Sequence, residues 1–257
     1  MPTIQILGSL SGTEPMPNRH HTSVVVTAGG RHYFFDAGEN CSHLAHVGGV
    51  DLLNIRAIFI SHVHYDHVGD LVGIIRNIKK IGRVQKRVPA QSEIPLFIPE
   101  IETWEAIKTL FSCMGGNGLG TVSILAQKPK EGLFYEDETL KVFAFPAHHM
   151  PDREDGTCRS FSYRIELDGF SMVYSGDVGT VQDLALPVGD GCDLLMAETG
   201  HHKVKDVCDF AETHSVGELV FYHHGREVLN YPDEVAKILA ACKVKTILSE
   251  DGTIITR

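Results

Sequence analysis

Apolar and polar residues alternate in short runs through the first third of the chain. Residues 4–7, 23–27 and 32–35 each read as a strand, with Gly29-Gly30 as the turn between the last two, so antiparallel hairpins are expected. Ala57-Ile58-Phe59-Ile60-Ser61 is a short continuous apolar segment, the pattern of a buried strand. The period then changes. Over residues 67–81, Val68, Leu71, Val72, Ile74, Ile75 and Ile78 recur at helical spacing, and Lys and Arg enter at the end, where they suit the negative pole of a helix.

A second amphipathic helix is predicted over 101–111, after Pro99, and the glycine-rich segment 115–120 breaks it and reads as a mobile loop or lid. Strand patterns return at 140–145, 161–167 and 170–174. The last two are joined by Asp168-Gly169, a type I′ hairpin signal, and together they make a second sheet. A helix from about 203 to 212, a strand at 218–222 and a helix opened by Pro232 follow. Residues 246–250 and 253–256 flank Asp251-Gly252 and predict a closing hairpin. With no repeat, low-complexity tract or linker, residues 1–257 read as a single domain.

Composition adds limits. An apolar fraction of 43% with 22% charged residues is that of a globular chain able to bury a core. A net charge of −10 opposes a long nucleic acid as partner and favours a small-molecule substrate. Five basic residues (Lys79, Lys80, Arg83, Lys86, Arg87) cluster near the end of the first predicted helix and read as a solvated helix end and loop. The six cysteines are scattered without CxxC spacing, as expected of reduced thiols in a cytoplasmic protein. No apolar run approaches a membrane span.

The chemistry is concentrated in Ser61-His62-Val63-His64-Tyr65-Asp66-His67, which sits between the buried strand and the first helix. Three imidazoles and a carboxylate crowded into one tight turn would be costly if merely buried, and a divalent cation supplies the partner each of them needs. An open position on such a cation holds a water whose pKa falls to roughly 7, and that water is the expected nucleophile. One turn cannot surround two cations. Further ligands are expected where other strands stop: His148 or His149 after Phe145-Pro146-Ala147, Asp177 after Tyr174-Ser175-Gly176, and His223 or His224 after Phe221-Tyr222.

The order of these motifs resembles the metallo-β-lactamase superfamily, and within it the ribonuclease Z and phosphodiesterase-like branch, over nearly the whole chain. Residues 7–23 are similar to that branch's opening loop. Phe35-Asp36-Ala37-Gly38 is similar to its first motif, in which Asp36 would brace the metal loop without binding metal. The resemblance implies an α+β fold, a four-layer αββα sandwich of two mixed β-sheets flanked by helices. It implies that His62, His64 and His149 hold one metal and that Asp66, His67 and His223 hold the other, with Asp177 bridging. His149 is preferred to His148 because the branch's ligand follows a strand, a Pro and two further residues. His223 is preferred to His224 because it directly follows the strand, which leaves His224 to line the substrate pocket. Asp66 would also orient the attacking hydroxide. His202, in Glu198-Thr199-Gly200-His201-His202, would protonate the leaving group as general acid. A homodimer is common among look-alikes.

The expected function is therefore hydrolysis of a small phosphodiester by hydroxide held between two divalent ions. Zinc is favoured by the all-nitrogen-and-oxygen ligand set, with manganese or iron as alternatives. The long basic arm by which ribonuclease Z grips transfer RNA has no counterpart in the sequence. Thioester, lactone or amide hydrolysis on the same core is the second reading, and a non-catalytic metal- or ligand-binding protein the third. A redox di-iron protein, whose relatives carry a carboxylate at the second motif position and a flavin domain, is disfavoured by His64 and by the chain length.

Overall fold

In a computed structural model the chain is described over residues 2–115 and 122–257. Most of the glycine-rich segment expected to form a mobile loop or lid lies at 116–121, outside the described residues. The chain divides into two compact units, the first made of Met1–Gly8, Pro15–Lys128 and Asp251–Arg257, the second of Ser9–Glu14 and Pro129–Glu250.

The first unit holds strands β1 (Thr3–Gly8), β2 (Ser23–Ala28), β3 (Arg31–Phe35), β4 (Ile55–Phe59), β5 (Glu93–Phe97), β6 (Ser123–Gln127) and β14 (Ile254–Thr256). They form one sheet in the order β14-β1-β2-β3-β4-β5-β6. β1, β2 and β3 pair antiparallel, as the alternating pattern predicts, β14 pairs antiparallel with β1, and β3 to β6 run parallel. Its helices are α1 (Cys41–Val47), α2 (Tyr65–Val68), α3 (Leu71–Gln85) and α4 (Ile101–Cys113). Ile74, Ile75 and Ile78 of α3 and Trp104 of α4 pack with Val25, Phe34, Ile58 and Leu96 of the sheet. Each such aliphatic side chain stabilises the fold by about 1.5–3 kcal/mol.

The single helix expected over 67–81 is broken at Gly69-Asp70. The Asp70 carboxylate accepts the Ser42 N–H at the start of α1 (2.7 Å), and the Asp70 N–H donates to the Ala37 carbonyl (2.9 Å). This anchored corner leaves α2 as one separate turn that carries Asp66 and His67.

The second unit holds β7 (Gly132–Glu136), β8 (Lys141–Pro146), β9 (Phe161–Leu167), β10 (Phe170–Tyr174), β11 (Cys192–Thr199), β12 (Val216–His224) and β13 (Lys245–Leu248), in the order β13-β12-β11-β10-β9-β8-β7. Asp168 and Gly169 both have positive φ (47° and 76°), as the type I′ turn between β9 and β10 requires. Helices α5 (Ala185–Val188), α6 (Val204–Thr213), α7 (Arg226–Asn230) and α8 (Pro232–Ala241) accompany this sheet. Val207 and Phe210 of α6 and Val235 of α8 join Leu195, Leu219 and Phe221 in a second core.

The expected closing hairpin does not form: β13 pairs in parallel with β12, and β14 pairs antiparallel with β1. Asp251-Gly252 is a turn, but its groups are committed to the first unit. Gly252 N–H donates to the Ile6 carbonyl (2.8 Å), and the Asp251 carboxylate accepts the His20 N–H (2.7 Å).

The parallel strands set the direction of the chemistry. β8 and β10 both run antiparallel to β9, and β11 and β12 run parallel to β10, so all four end at one edge of the second sheet. Ligand-bearing residues gather at such carboxyl edges.

Candidate metal centre

In the first unit, β3 and β4 run side by side and deliver Asp36 and Ser61-His62 just beyond their ends. Asp36 takes a left-handed conformation (φ 60°) that turns its fully buried carboxylate under the next loop. One oxygen accepts the Ser61 N–H at 2.7 Å. The other accepts the Ser61 hydroxyl at 2.8 Å and lies 2.7 Å from His67 Nδ1. A proton held on His67 Nδ1 leaves Nε2 with its lone pair exposed, the state a metal ligand needs. His62 is oriented in the same way by the Ser61 hydroxyl, 3.1 Å from its Nδ1, and its Nε2 lies 2.9 Å from His64 Nδ1. Asp66 Oδ2 sits 3.4 Å from His67 Nε2. Gly38 permits this packing, since a Cβ there would stand 2.5 Å from the Asp66 carbonyl oxygen.

In the second unit, Asp177 lies beyond the end of β10 with 2% of its surface exposed. Its Oδ1 is 3.3 Å from His223 Nε2, and its Oδ2 is 3.6 Å from His201 Nδ1 and 3.7 Å from His149 Nε2. Glu198, near the end of β11, accepts the His201 N–H at 2.9 Å. It also approaches the His201 ring at 3.2 Å and the His223 ring at 3.8 Å. Burial pushes the Glu198 carboxyl up, but hydrogen bonds from His201 and His223 prevail and hold it below the usual carboxylate range. The Glu198 hydrogen bond raises His201 in turn, against the effect of its burial. Two buried carboxylates and three converging imidazoles, with donor atoms within 4.8 Å of one another in the sets His149, Asp177, His201 and Glu198, His201, His223, suit a divalent cation.

Local geometry separates the neighbouring histidines. The Ser160 hydroxyl accepts the N–H groups of His149 (3.0 Å) and Met150 (3.2 Å), and this loop holds the His149 ring beside Asp177. His148, left-handed at φ 49°, carries a side chain that is 58% exposed and faces Asp183 at 3.5 Å. A bulge distinguishes His223 from His224. Glu198 pairs with Tyr222 and Thr199 with His224, so His223 is the extra residue, at φ 52°. Gly200 makes room for it, because a Cβ there would lie 2.5 Å from His223 Nδ1.

His224 does not line a pocket as expected. It is fully buried, with Nδ1 3.0 Å from the Thr199 hydroxyl and Nε2 2.8 Å from the Ser249 carbonyl, and it ties strand ends together. His202 places Nε2 3.0 Å from the Val178 carbonyl and 3.6 Å from Glu198. Its neighbour His201 approaches Asp177, which the sequence reading did not anticipate. Gly200, directly before it, is the signal that the backbone packs closely here.

Comparison with known proteins identifies the fold and the family. A ribonuclease Z of Mycolicibacterium paratuberculosis is 24% identical over 255 residues, covering 88% of each chain. The crystal structure of the metallo-β-lactamase fold protein YhfI from Bacillus subtilis superposes with a TM-score of 0.77 at 18% identity, covering 99% of this chain and 98% of that one. The short form of human tRNase Z does so at 0.73 and 19%, with the same coverage. The two mixed seven-stranded sheets with their helices are thus the metallo-β-lactamase fold. The family model described as a beta-lactamase superfamily domain matches residues 31–246, and the chain belongs to this superfamily as a metal-dependent hydrolase, similar to relatives named ribonuclease Z.

Proposed function

We propose that the protein hydrolyses a small phosphodiester, with His62, His64, Asp66, His67, His149, Asp177 and His223 holding two divalent cations. Zinc is the first choice for this nitrogen-and-oxygen donor set, and manganese or iron are the alternatives. The observation that carries the reading is Asp177, buried and facing three imidazoles at 3.3–3.7 Å. Cations bound there supply Lewis acidity and lower the pKa of water.

The chain's own groups do the rest. The Asp66 carboxylate accepts a hydrogen bond from the attacking water and sets its direction. Asp36 keeps the His67 ring from rotating. His202, beside Glu198, protonates the leaving oxygen, and His201, nearer to Asp177, is the competing donor.

Relatives named ribonuclease Z support phosphodiester chemistry over thioester, lactone or amide hydrolysis. Their name also favours a second reading, RNA as the substrate. The connection between β8 and β9 argues for the smaller substrate, because residues 151–160 set Asp152, Glu154 and Asp155 against Arg153 and Arg159 and offer no basic arm.

The test is metal analysis of the purified protein together with turnover of bis(p-nitrophenyl) phosphate, a lactone panel and an RNA substrate. Two metals per chain and turnover of the aryl phosphodiester are expected. Lactone hydrolysis without phosphodiester turnover would overturn the reading, and a strong preference for RNA would select the second one. Comparing His202→Ala with His201→Ala at full metal content identifies the donor by which change slows turnover.

A further inference from the structure

Residues 71–92 contain no acidic side chain, although the whole chain carries a net charge of −10. Within that stretch Arg76, Lys79, Lys80 and Arg83 recur at helical spacing along α3, and all four line one cavity of about 220 Å³. The opposite wall is the end of α4, where Phe111 and the exposed Met114 supply an apolar surface.

The arrangement is unfavourable as plain helix surface. Arg76 and Lys80, and Lys79 and Arg83, are like charges four residues apart, and Arg76 with Lys79 and Lys80 with Arg83 are like charges three apart, spacings at which such pairs destabilise a helix. The helix dipole accounts for Arg83 in the last turn but not for Arg76, Lys79 or Lys80, since its effect fades within one turn. Among the described residues no carboxylate pairs with Arg76, Lys80 or Arg83.

We infer that this cleft between α3 and α4 is a second ligand site, for a nucleoside polyphosphate whose phosphates lie along Arg76, Lys79, Lys80 and Arg83 and whose base rests on Phe111 and Met114. Guanidinium groups match phosphate oxygens in bidentate geometry, and an aromatic ring paired with a thioether offers a stacking face. The cationic row spans roughly 10 Å of helix, the reach of one polyphosphate tail rather than of a polynucleotide tract. The inference is independent of the reaction proposed above.

The test is isothermal titration of the full-length, metal-loaded protein with ATP, adenosine and inorganic triphosphate. The double variant Arg76→Glu/Arg83→Glu is compared with Phe111→Leu, which keeps an apolar group against the core while removing the ring. ATP should bind at least tenfold more tightly than adenosine. The charge reversals should weaken ATP and inorganic triphosphate tenfold or more, and Phe111→Leu should weaken ATP alone. The charge reversals convert four like-charge pairs into opposite ones, so the melting temperature should not fall in that variant, and bis(p-nitrophenyl) phosphate turnover should stay unchanged in both variants. ATP binding that is absent, or unaltered by the charge reversals, overturns the site. An RNA decamer that binds tenfold more tightly than ATP, and is lost with the same reversals, overturns the choice of ligand.

Discussion

His67 Nδ1 lies 2.7 Å from Asp36 Oδ2, and neither side chain is exposed to solvent. The same carboxylate accepts two hydrogen bonds from Ser61, so one residue fixes both the strand end and the imidazole orientation of the HxHxDH turn. Asp36→Asn preserves the shape and tolerates the left-handed backbone, but it loses the charge and one acceptor. It should cost about 1–3 kcal/mol of stability and lower metal affinity about 10–100-fold. Denaturant melts and metal titration of the variant read both effects.

The two adjacent histidines after β8 should behave differently. His149→Ala removes a ring beside Asp177, so metal content should fall and turnover should drop about 100-fold or more, beyond the loss typical of outer-shell partners. His148→Ala removes an exposed ring and should change stability by less than about 0.5 kcal/mol with turnover intact. Metal analysis and steady-state rates of the two variants decide the assignment, and equal losses would contradict it.

Gly200→Ala probes the bulge at His223. The added methyl would sit 2.5 Å from His223 Nδ1, so the ring must move. A stability loss of about 1–3 kcal/mol is expected, together with weakened metal binding, whereas His224 should keep its bonds to Thr199 and Ser249. A variant with normal melting and metal content would show that the contact relaxes without consequence.

The thiols offer a check that does not involve metal. Burial pushes Cys192 up to about 12, with Arg164 opposing, whereas Cys113 is exposed. At pH 8 iodoacetamide should label Cys113 and spare Cys192, whose thiolate fraction is then about one in ten thousand. Because the folded value lies above the unfolded one, the stabilising contribution of the neutral thiol is complete below about pH 9 and is lost as pH rises towards 12. Mass spectrometry of labelled peptides reads the first effect, and melts across that pH window read the second.

Much of the site was legible because its residues stand where strands stop. Three imidazoles and a carboxylate within six positions form a local signal, and only Ser175-Gly176 separates Asp177 from the strand that ends at Tyr174. The preference for His149 over His148 rests on spacing from Pro146, and the bonds to Ser160 hold the His149 ring beside Asp177, the position on which the proposed ligand role depends. The role of His224 was not legible, since a bulge in the β11–β12 pairing decides which of two identical residues turns inward. β6 and β7 gave little signal because both are only partly buried and their apolar alternation is weak. The closing hairpin was misread because Asp251-Gly252 has the composition of a local turn, while the residues on either side pair with strands far away in sequence.

That long-range pairing bears on how the protein is made. The sheet of the first unit places Thr3–Gly8 between Ser23–Ala28 and Ile254–Thr256, so β1 keeps one row of backbone donors and acceptors unmatched until synthesis reaches residue 254. A nascent chain therefore carries an open strand edge from residue 8 until residue 254 is made, the kind of surface that recruits other chains. Release of β14 from the ribosome, rather than collapse of the early hairpins, is what seals it.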